Sequence, residues 1–177
     1  MPAPLQGITV LDLTHVLAGP FASLTLADLG ARIIKVERPG TGDDTRGFPP
    51  FLQGESAYFA ALNAGKQSIA LDLKAAPDRA LFDRLLKKAD ILLENYRPGV
   101  MERLGYGWET LHNAHPRLIY GAVSGFGHTG PDRGKPAYDM VVQARGGVMS
   151  ITGESGGTPV RVGASIGDIA AGMYLAQ

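Results

Sequence analysis

The sequence predicts an α/β fold in which helices flank a mostly parallel β-sheet. Apolar strand-like segments alternate with helix-like segments along the chain, and this alternation is typical of parallel sheets. The first three elements form a β-α-β unit, which favours parallel pairing and a right-handed crossover. Of the 177 residues, 45% are hydrophobic and 19% are charged, a composition typical of one globular domain. We therefore predict one domain-sized unit over residues 1–177.

The β-α-β unit occupies the first part of the chain. Residues 7–13 are an almost continuous apolar run, which is typical of a buried strand. Gly19 and Pro20 open the next segment and Gly30 closes it, as expected for a helix, because proline suits the first turn and glycine the end. Residues 31–37 form the second predicted strand.

The later segments continue the alternation. Residues 38–53 are rich in Gly, Pro and charge, which predicts a long loop of the kind that is usually functional or disordered. Residues 68–74 alternate apolar and polar side chains, as in a half-exposed strand. Pro77 opens a helix with an acid in its first turn and lysines at its end, which suits the helix dipole. The remaining predicted elements are strands at 91–93 and 118–123, helices at 100–104, 108–114 and 138–148, and loops at 124–136 and 153–163.

Composition and missing motifs exclude several classes of function. The chain has no Cys, and its 17 basic residues balance its 17 acidic ones, so neither thiolate chemistry nor a general attraction to nucleic acid or membrane is expected. No apolar run reaches the roughly 20 residues of a membrane span, and the N-terminus does not resemble a secretory signal, so we expect a cytoplasmic protein. The histidines lack a metal-binding spacing and the glycine-rich nucleotide motifs are missing, so no metal and no redox cofactor are expected.

Basic and polar residues follow the predicted strands. Arg38 follows the second strand, Lys74 the third and residues 95–97 the fourth, with Arg103 one short helix later. Because the carboxyl ends of parallel strands meet at one edge of a sheet, these side chains can gather around one anionic ligand. Arg and Lys both bind phosphates, and Tyr96 would add an aromatic face. The alternative, which the spacing alone favours, is that they are solvated charges in loops.

Asp168 is the carboxylate with the most unusual surroundings. It lies among the small and apolar residues of segment 163–172, at the start of a predicted helix. The helix dipole and free backbone N–H groups favour a negative charge there. The alternative is an ordinary N-cap aspartate, which is common. The helical pattern reaches Gln177 without a C-cap, so we expect either a truncated chain or a short docked terminal helix.

Taken together, these segments resemble the class III CoA-transferase family, which includes formyl-CoA transferase and carnitine CoA-transferase. The resemblance implies a Rossmann-like, mostly parallel sheet, with residues 1–177 as the N-terminal part of the family's large domain. It also implies an interlocked homodimer for the full-length protein, whose second half would supply an active-site glycine loop and part of the acid pocket. The matching stretches are LDLTHVLAGPFA (11–22), LADLGARIIKVERP (26–39), GDDTR (42–46), NAGKQSIALDLK (63–74), ADILLENYRPG (89–99) and GD (167–168).

The resemblance further implies which residues act. Asp168 would be the catalytic nucleophile. Leu17 departs from formyl-CoA transferase, which has Gln at this place, and this argues against oxalate and formate as substrates. Coenzyme A would be held by residues spread over the strand ends and the loops beyond them, namely Val16, Leu17, Ala18, Arg38, Leu71, Asp72, Leu73, Lys74, Asn95, Tyr96, Arg97, Arg103, Lys135, Ala137, Tyr138 and Asp139.

The reaction implied by the resemblance moves CoA from an acyl-CoA to a small carboxylic acid. Attack of Asp168 on the thioester would give a mixed anhydride and then an aspartyl-CoA thioester. Two alternatives stay open. The α-methylacyl-CoA racemases share the fold and the CoA site, but they carry Gly-His-Asp where this chain has Ala137, Tyr138 and Asp139. This difference argues against racemisation. The chain could also bind acyl-CoA without turnover, and a fragment alone is expected to be inactive.

Overall fold

A five-stranded parallel sheet forms the centre of the computed structural model, which describes residues 2–177. The strands of this part of the chain are β1 (Thr9–Asp12), β2 (Arg32–Glu37), β3 (Phe51–Leu52), β4 (Glu55–Ser56), β5 (Gln67–Ala70), β6 (Ile91–Glu94) and β7 (Ile119–Ala122). The sheet has the order β5-β2-β1-β6-β7 and every pairing in it is parallel, whereas β3 and β4 form a small antiparallel hairpin. The predicted α/β fold with a mostly parallel sheet is confirmed.

Helices connect the strands and cover both faces of the sheet. The helices within residues 2–177 are α1 (Ala18–Asp28), α2 (Ala57–Asn63), α3 (Ala76–Leu86), α4 (Val100–Leu104), α5 (Trp108–Ala114), α6 (Asp139–Arg145) and α7 (Ile166–Ala176). The two short helices predicted at 100–104 and 108–114 are confirmed, and the helix predicted around Gly167 is α7.

Two predicted boundaries are wrong for local reasons. The strand predicted at 68–74 ends at Ala70, because the Asp72 carboxylate accepts the Lys74 backbone N–H at 2.9 Å and turns the chain. The helix predicted at 138–148 ends with α6, because Gly147 adopts a φ of 83°, which no α-helix accommodates. Residues 54–67 received no predicted element, and they contain β4 and α2.

The core has two layers, one on each face of the sheet. Alternate residues of each strand point to opposite faces, so Leu11 of β1 and Leu92 of β6 pack against Phe82 of α3. Their neighbours Val10 and Leu93 pack on the other face, where α1 contributes buried side chains and α7 packs against the cluster. The strands are therefore buried on both sides, which explains their nearly continuous apolar sequence.

The strand order places a topological switch point at β1. From β1 the chain crosses to β2 on one side, and it later returns to β6 on the other side. The loops that leave β1 and β6 therefore diverge and open a crevice at the carboxyl edge of the sheet. Ligands of open α/β sheets bind in such a crevice.

Candidate active site

Three adjoining cavities form one groove along the carboxyl edge of the sheet. We call them the outer, middle and inner cavities, with volumes of about 450, 360 and 160 Å³. Tyr96 and Val100 line both the outer and the middle cavity, so these two adjoin. The middle and inner cavities share Asn95, Ser124, Gly125, Ala137 and Tyr138. The groove thus leads from the ends of β2 and β5 to Asp168 in the inner cavity.

The outer cavity combines two cations with apolar walls. Arg38 follows β2 and Lys74 lies in the turn after β5, and both line this cavity together with segment 71–73. The Arg38 guanidinium also pairs with the exposed carboxylate of Asp44. Convergence of residues that follow different strands was one of the two alternatives left open by the sequence, and the geometry brings Arg38, 71–74 and Tyr96 to one cavity.

The buried carboxylate of Glu37 anchors the loop that carries Arg38. Glu37 receives two hydrogen bonds of 2.7 Å from the Arg46 guanidinium and one of 2.6 Å from the Ser68 hydroxyl. Burial alone would raise the pKa of Glu37, but these bonds and the Asp43 backbone N–H lower it to about 2. Glu37 is therefore ionised at neutral pH and anchors segment 38–47.

The middle cavity is the more basic part of the groove. It is lined by Arg97 after β6 and by Lys135, both predicted, and by Arg133, which the sequence analysis did not select. Lys135 forms a 2.6 Å ion pair with Asp132. Arg133 stands in a Gly- and Pro-rich loop with no pattern of its own, so only the tertiary structure shows that it lies in this cavity.

The loops after β1 and β6 are fastened to each other at the switch point. The Asn95 side chain accepts the His15 backbone N–H at 2.9 Å and donates to the His15 carbonyl at 2.7 Å. The imidazole of His15 packs on Tyr96 with ring centroids 5.6 Å apart, and burial lowers its pKa. The next residue, Val16, has a φ of 67°, a strained conformation for a β-branched residue. Its N–H donates to Asp43 at 3.2 Å, which helps to hold this turn.

The inner cavity contains Asp168, the third residue of α7. Its walls include Ala18 at the start of α1, Asn95 and Ala171. Burial, followed by repulsion from Asp139, raises the pKa of Asp168 above its ordinary value. Tyr58 of α2 is a second neighbour, since burial and then the charge of Asp168 raise its pKa. Tyr58 was missed by the sequence analysis, because no element was predicted in its part of the chain.

Some predicted contact residues lie away from the three cavities. Val16 and Leu17 do not line any of them, although their neighbour Ala18 lines the inner one. Arg103 is exposed on α4 and does not line the groove either. Asp139 is only 7% exposed, and its carboxylate accepts hydrogen bonds from Gly167 and Gln143 inside the protein. Tyr138, in contrast, is 78% exposed at the rim.

Buried ion pairs support the floor of the groove. Lys35 of β2 reaches the Thr14 carbonyl at 2.8 Å and the Asp43 carboxylate at 2.9 Å, and both side chains of the ion pair are 1% exposed. Lys66 donates to Asp12 at 3.3 Å and to the Pro20 carbonyl at 2.9 Å. Burial lowers the pKa of Lys66 to about 8. The sequence signal for the first pair is a lysine inside an apolar strand, which the sequence analysis did not use.

Neither a metal-ligand cluster nor a membrane-spanning helix occurs among residues 2–177. Among residues 2–177, no group of three or more His, Cys, Asp or Glu side chains is placed to hold a metal ion. No helix in the same part of the chain is both long and apolar enough to cross a bilayer.

Comparisons with known proteins agree on one family. The sequence pattern described as CoA-transferase family III matches residues 5–177. Acetyl-CoA:oxalate CoA-transferase of Acetobacter aceti is 53% identical over 173 residues, which are 97% of this chain and 44% of that protein. Succinyl-CoA:glutarate CoA-transferase of Homo sapiens is 46% identical over 172 residues, which are 97% of this chain and 39% of that protein. The chain therefore spans less than half the length of these curated relatives.

A solved structure gives the same result at the level of the fold. The crystal structure of a CAIB/BAIF family protein from Brucella suis matches with a TM-score of 0.94 and 41% sequence identity. The match covers 99% of this chain and 48% of that one. The sequence pattern, the curated relatives and the shared fold lead to one conclusion: this chain belongs to the CoA-transferase family III.

Proposed function

We propose that the protein transfers coenzyme A between an acyl-CoA donor and a carboxylic acid acceptor through covalent intermediates on Asp168. The observation that carries this proposal is the continuous groove that leads from two cations to a half-buried carboxylate. The two curated relatives are both named as CoA-transferases, which supports the reaction class. The chain spans only part of those relatives, so the activity is proposed for the intact protein.

The proposed binding mode follows the charges of the groove. The nucleotide end of acyl-CoA would lie in the outer cavity, where Arg38 and Lys74 meet its phosphates and segment 71–73 contacts its apolar surface. The pantetheine arm would cross the middle cavity beside Tyr96. The thioester would then reach Asp168 in the inner cavity. Arg97 and Lys135 add positive charge along this path.

The proposed reaction starts from ionised Asp168. Its carboxylate attacks the thioester carbonyl carbon, the C–S bond breaks, and a mixed anhydride and a CoA thiolate result. The thiolate then attacks the aspartyl carbonyl of the anhydride and releases the donor acid, leaving an aspartyl-CoA thioester. The acceptor carboxylate attacks this thioester, and the released thiolate attacks the acceptor acyl group of the new anhydride. The acyl-CoA product forms and the Asp168 carboxylate is regenerated, so the enzyme returns to its starting state.

Backbone N–H groups at the start of α1 are the proposed oxyanion donors. The N-cap residue of α1, Leu17, makes no side-chain cap, and Pro20 has no N–H, so the available donors of the first turn are the N–H groups of Ala18 and Gly19. Ala18 lines the inner cavity together with Asp168. Donors that are fixed before the reaction stabilise the negative charge of a tetrahedral intermediate without reorganisation.

Dicarboxylic acids are the acceptors to test first. The names of the two curated relatives contain oxalate, succinyl and glutarate. Leu17 argues against oxalate, although the relative from Acetobacter aceti carries oxalate in its name. Turnover of a panel of acyl-CoA donors with these acids decides whether oxalate is an acceptor. Turnover with oxalate would show that Leu17 does not exclude this substrate.

Peptide mass spectrometry on the intact protein tests the covalent step. Incubation with acyl-CoA donors should give an adduct on the Asp168 peptide that hydroxylamine removes, and Asp168→Ala should give none. Exchange of the substrate α-proton with solvent deuterium, without an adduct, would instead favour the racemase. Binding without an adduct or exchange would leave only a binding protein.

The proposal also covers the oligomeric state and the cellular location of the intact protein. The intact protein is proposed to be an interlocked homodimer, as the family resemblance implies, and light scattering after gel filtration measures its mass. A cytoplasmic location is proposed from the sequence, and microscopy of the tagged intact protein tests it.

A further inference from the structure

A buried glutamine on α6 makes hydrogen bonds to two residues of the segment that leads into α7 and to the first residue of α6. The Gln143 side-chain carbonyl accepts the Val162 backbone N–H at 2.8 Å. Its amide donates to the Asp139 carboxylate at 2.6 Å and to the Ala164 carbonyl at 3.3 Å. Gln143 is 1% exposed, so water does not replace these bonds, and the side chain satisfies its main hydrogen-bonding capacity inside the protein.

The same cluster supplies the cap that α7 lacks in its own sequence. The N-cap residue Ser165 makes no side-chain hydrogen bond to the first turn. Instead, the other oxygen of Asp139 accepts the Gly167 backbone N–H at 2.8 Å. A Cβ on Gly167 would lie 3.1 Å from this oxygen and 3.3 Å from Val142, so glycine permits the close approach of α6. The residue immediately after this contact is Asp168.

We infer that Gln143 is a positioning residue for Asp168, acting through Asp139 and the 162–164 segment. Gln143 orients the Asp139 carboxylate towards the Gly167 N–H and fixes the backbone on the other side of Ser165. The start of α7, and with it the Asp168 carboxylate, is then held at one place in the inner cavity. The inference rests on the proposed function in one respect, because it assumes that the placement of Asp168 matters for attack on the thioester.

A misplaced Asp168 carboxylate should slow the chemical step strongly. A displacement of about 1 Å at a reacting group can cost roughly a hundredfold in rate. A substrate contact is not lost at the same time, because Gln143 does not line any of the three cavities. We therefore expect a slower chemical step with unchanged affinity for acyl-CoA.

Hydrogen exchange on the intact protein tests the structural part without any substrate. Gln143→Met removes all three bonds at nearly constant volume, and we expect the amides of Val162 and Gly167 to exchange about tenfold faster or more. Gln67→Met is the matched control, because its carbonyl accepts only an exposed bond from Arg32 of 2.8 Å at the start of β5. Unchanged exchange at both amides in Gln143→Met would overturn the inference.

A second variant gives a readout that a purely structural role would not move. In Gln143→Glu, the introduced carboxyl group can still donate to Asp139 when it is protonated, whereas it repels Asp139 when it is ionised, so the two carboxyl groups would share one proton. The charged or titratable neighbours of Asp168 are Asp139 and Tyr58. We expect the ratio of the adduct-formation rate of this variant to the wild-type rate at the same pH to approach one at low pH and to fall as the pH rises. Gln143→Met should be slow at every pH.

The outcomes separate the inference from the proposed function. If wild-type protein forms the adduct and Gln143→Met forms it equally fast, the inference is wrong and the proposed function stands. If wild-type protein forms no adduct with any donor, the proposed function fails. The exchange rates then decide by themselves whether Gln143 holds the start of α7. If Gln143→Met does not fold, the pH dependence of Gln143→Glu gives the same decision.

Discussion

Asp168 is subject to two opposing effects within a single residue. Attack on a thioester requires the ionised carboxylate, and the start of a helix favours that form by about 0.3–1 kcal/mol. Burial and the charge of Asp139 act in the other direction, and the pKa of Asp168 is raised, so these effects are larger than that of the helix. The ionised form of Asp168, which the proposed reaction requires, is therefore less favoured than the ionised form of an exposed aspartate.

Asp168→Asn should stabilise the folded protein while it abolishes the adduct. A carboxyl whose pKa is raised on folding contributes stability below its unfolded pKa and loses this contribution as pH rises through the folded one. At neutral pH the ionised side chain therefore costs free energy, and Asn removes that cost. We expect the free energy of unfolding to rise by up to about 1 kcal/mol at pH 7. Chemical denaturation at pH 7 and near pH 4 measures this, and an equal gain at both values would contradict the electrostatic origin.

The raised pKa of Asp168 also determines the pH at which kcat/KM falls on the acidic side of the pH profile. Protonated Asp168 is not nucleophilic, so kcat/KM should fall with decreasing pH around a pKa above the ordinary aspartate value of 3.8. Asp90→Asn is a suitable control, because Asp90 accepts the Thr9 backbone N–H at the opposite edge of the sheet. An acid limb at or below 3.8 in the wild-type protein would show that Asp168 is not the group that titrates.

Single residues differ in how well the sequence predicts their positions. Arg38 and Lys74 were predicted from their places after strands, and the parallel register is enough to bring them to one edge. Asp139 was selected together with its neighbours, but a helix start gives no sign of which side chain turns inward. Gln143 was not selected, because an isolated polar residue on a short helix looks the same whether it is buried or exposed.

At the scale of an element, the 38–47 segment depends on the Glu37–Arg46 pair. Arg46→Gln should cost about 1.5–3 kcal/mol at neutral pH, the range for a hydrogen bond to a charged group, because Glu37 remains buried and ionised. The pKa of Glu37 is lowered to about 2 from 4.5, so its stabilising contribution is present above 4.5 and is lost as pH falls towards 2. The difference between Arg46→Gln and wild type should therefore shrink over this range in urea titrations. A constant difference would mean that the variant acts through packing on Phe59 instead.

The contact between α1 and α7 depends on the small size of Gly172. A Cβ at this position would lie 2.4 Å from the Ala18 carbonyl oxygen and 3.2 Å from the Phe21 ring, so the helices would have to separate. Gly172→Ala should cost about 1–3 kcal/mol and slow adduct formation, because Ala18 and Asp168 line one cavity. Gly47→Ala is the matched control, since its added Cβ meets nothing within 4 Å and Gly47 lines none of the three cavities. Equal melting temperatures for the two variants would contradict this packing argument.

Elements were predicted well where hydrophobic patterns are strong. Each strand of the central sheet was placed, because strands buried on both faces leave continuous apolar runs. The β5 boundary was wrong, since Leu71 and Leu73 continue the alternation of the strand although they lie in the turn that lines the outer cavity. Short helices have too few turns to give a reliable period, so α4 and α5 were predicted whereas α2, of similar length, was missed.

For the whole molecule, the strand order creates the groove, and the sequence alone does not give this order. Parallel pairing follows from the alternation of elements, but the position of β6 beside β1 is a tertiary result. That position brings Asn95 to the His15 backbone and joins the middle cavity to the inner one. The family resemblance implied a Rossmann-like, mostly parallel sheet, but no strand order was predicted from it.

Because the groove joins the outer cavity to the inner cavity, we expect the two cavities to bind opposite ends of one acyl-CoA molecule. Arg38→Ala and Lys74→Ala remove cations of the outer cavity, so each should reduce kcat/KM for acyl-CoA by roughly 10–100-fold, as expected when a charged contact is lost. An acyl-pantetheine thioester lacks the nucleotide and its phosphates, so it cannot make the proposed contacts with these cations. Its reaction with wild-type protein should be slow, because binding energy remote from the reacting atoms normally supports the chemical step. The same two variants should leave that slow reaction unchanged, and kinetics with both thioesters measures each effect. Equal losses for both thioesters would mean that Arg38 and Lys74 act on the protein rather than on the nucleotide, and the proposed orientation of acyl-CoA would be wrong.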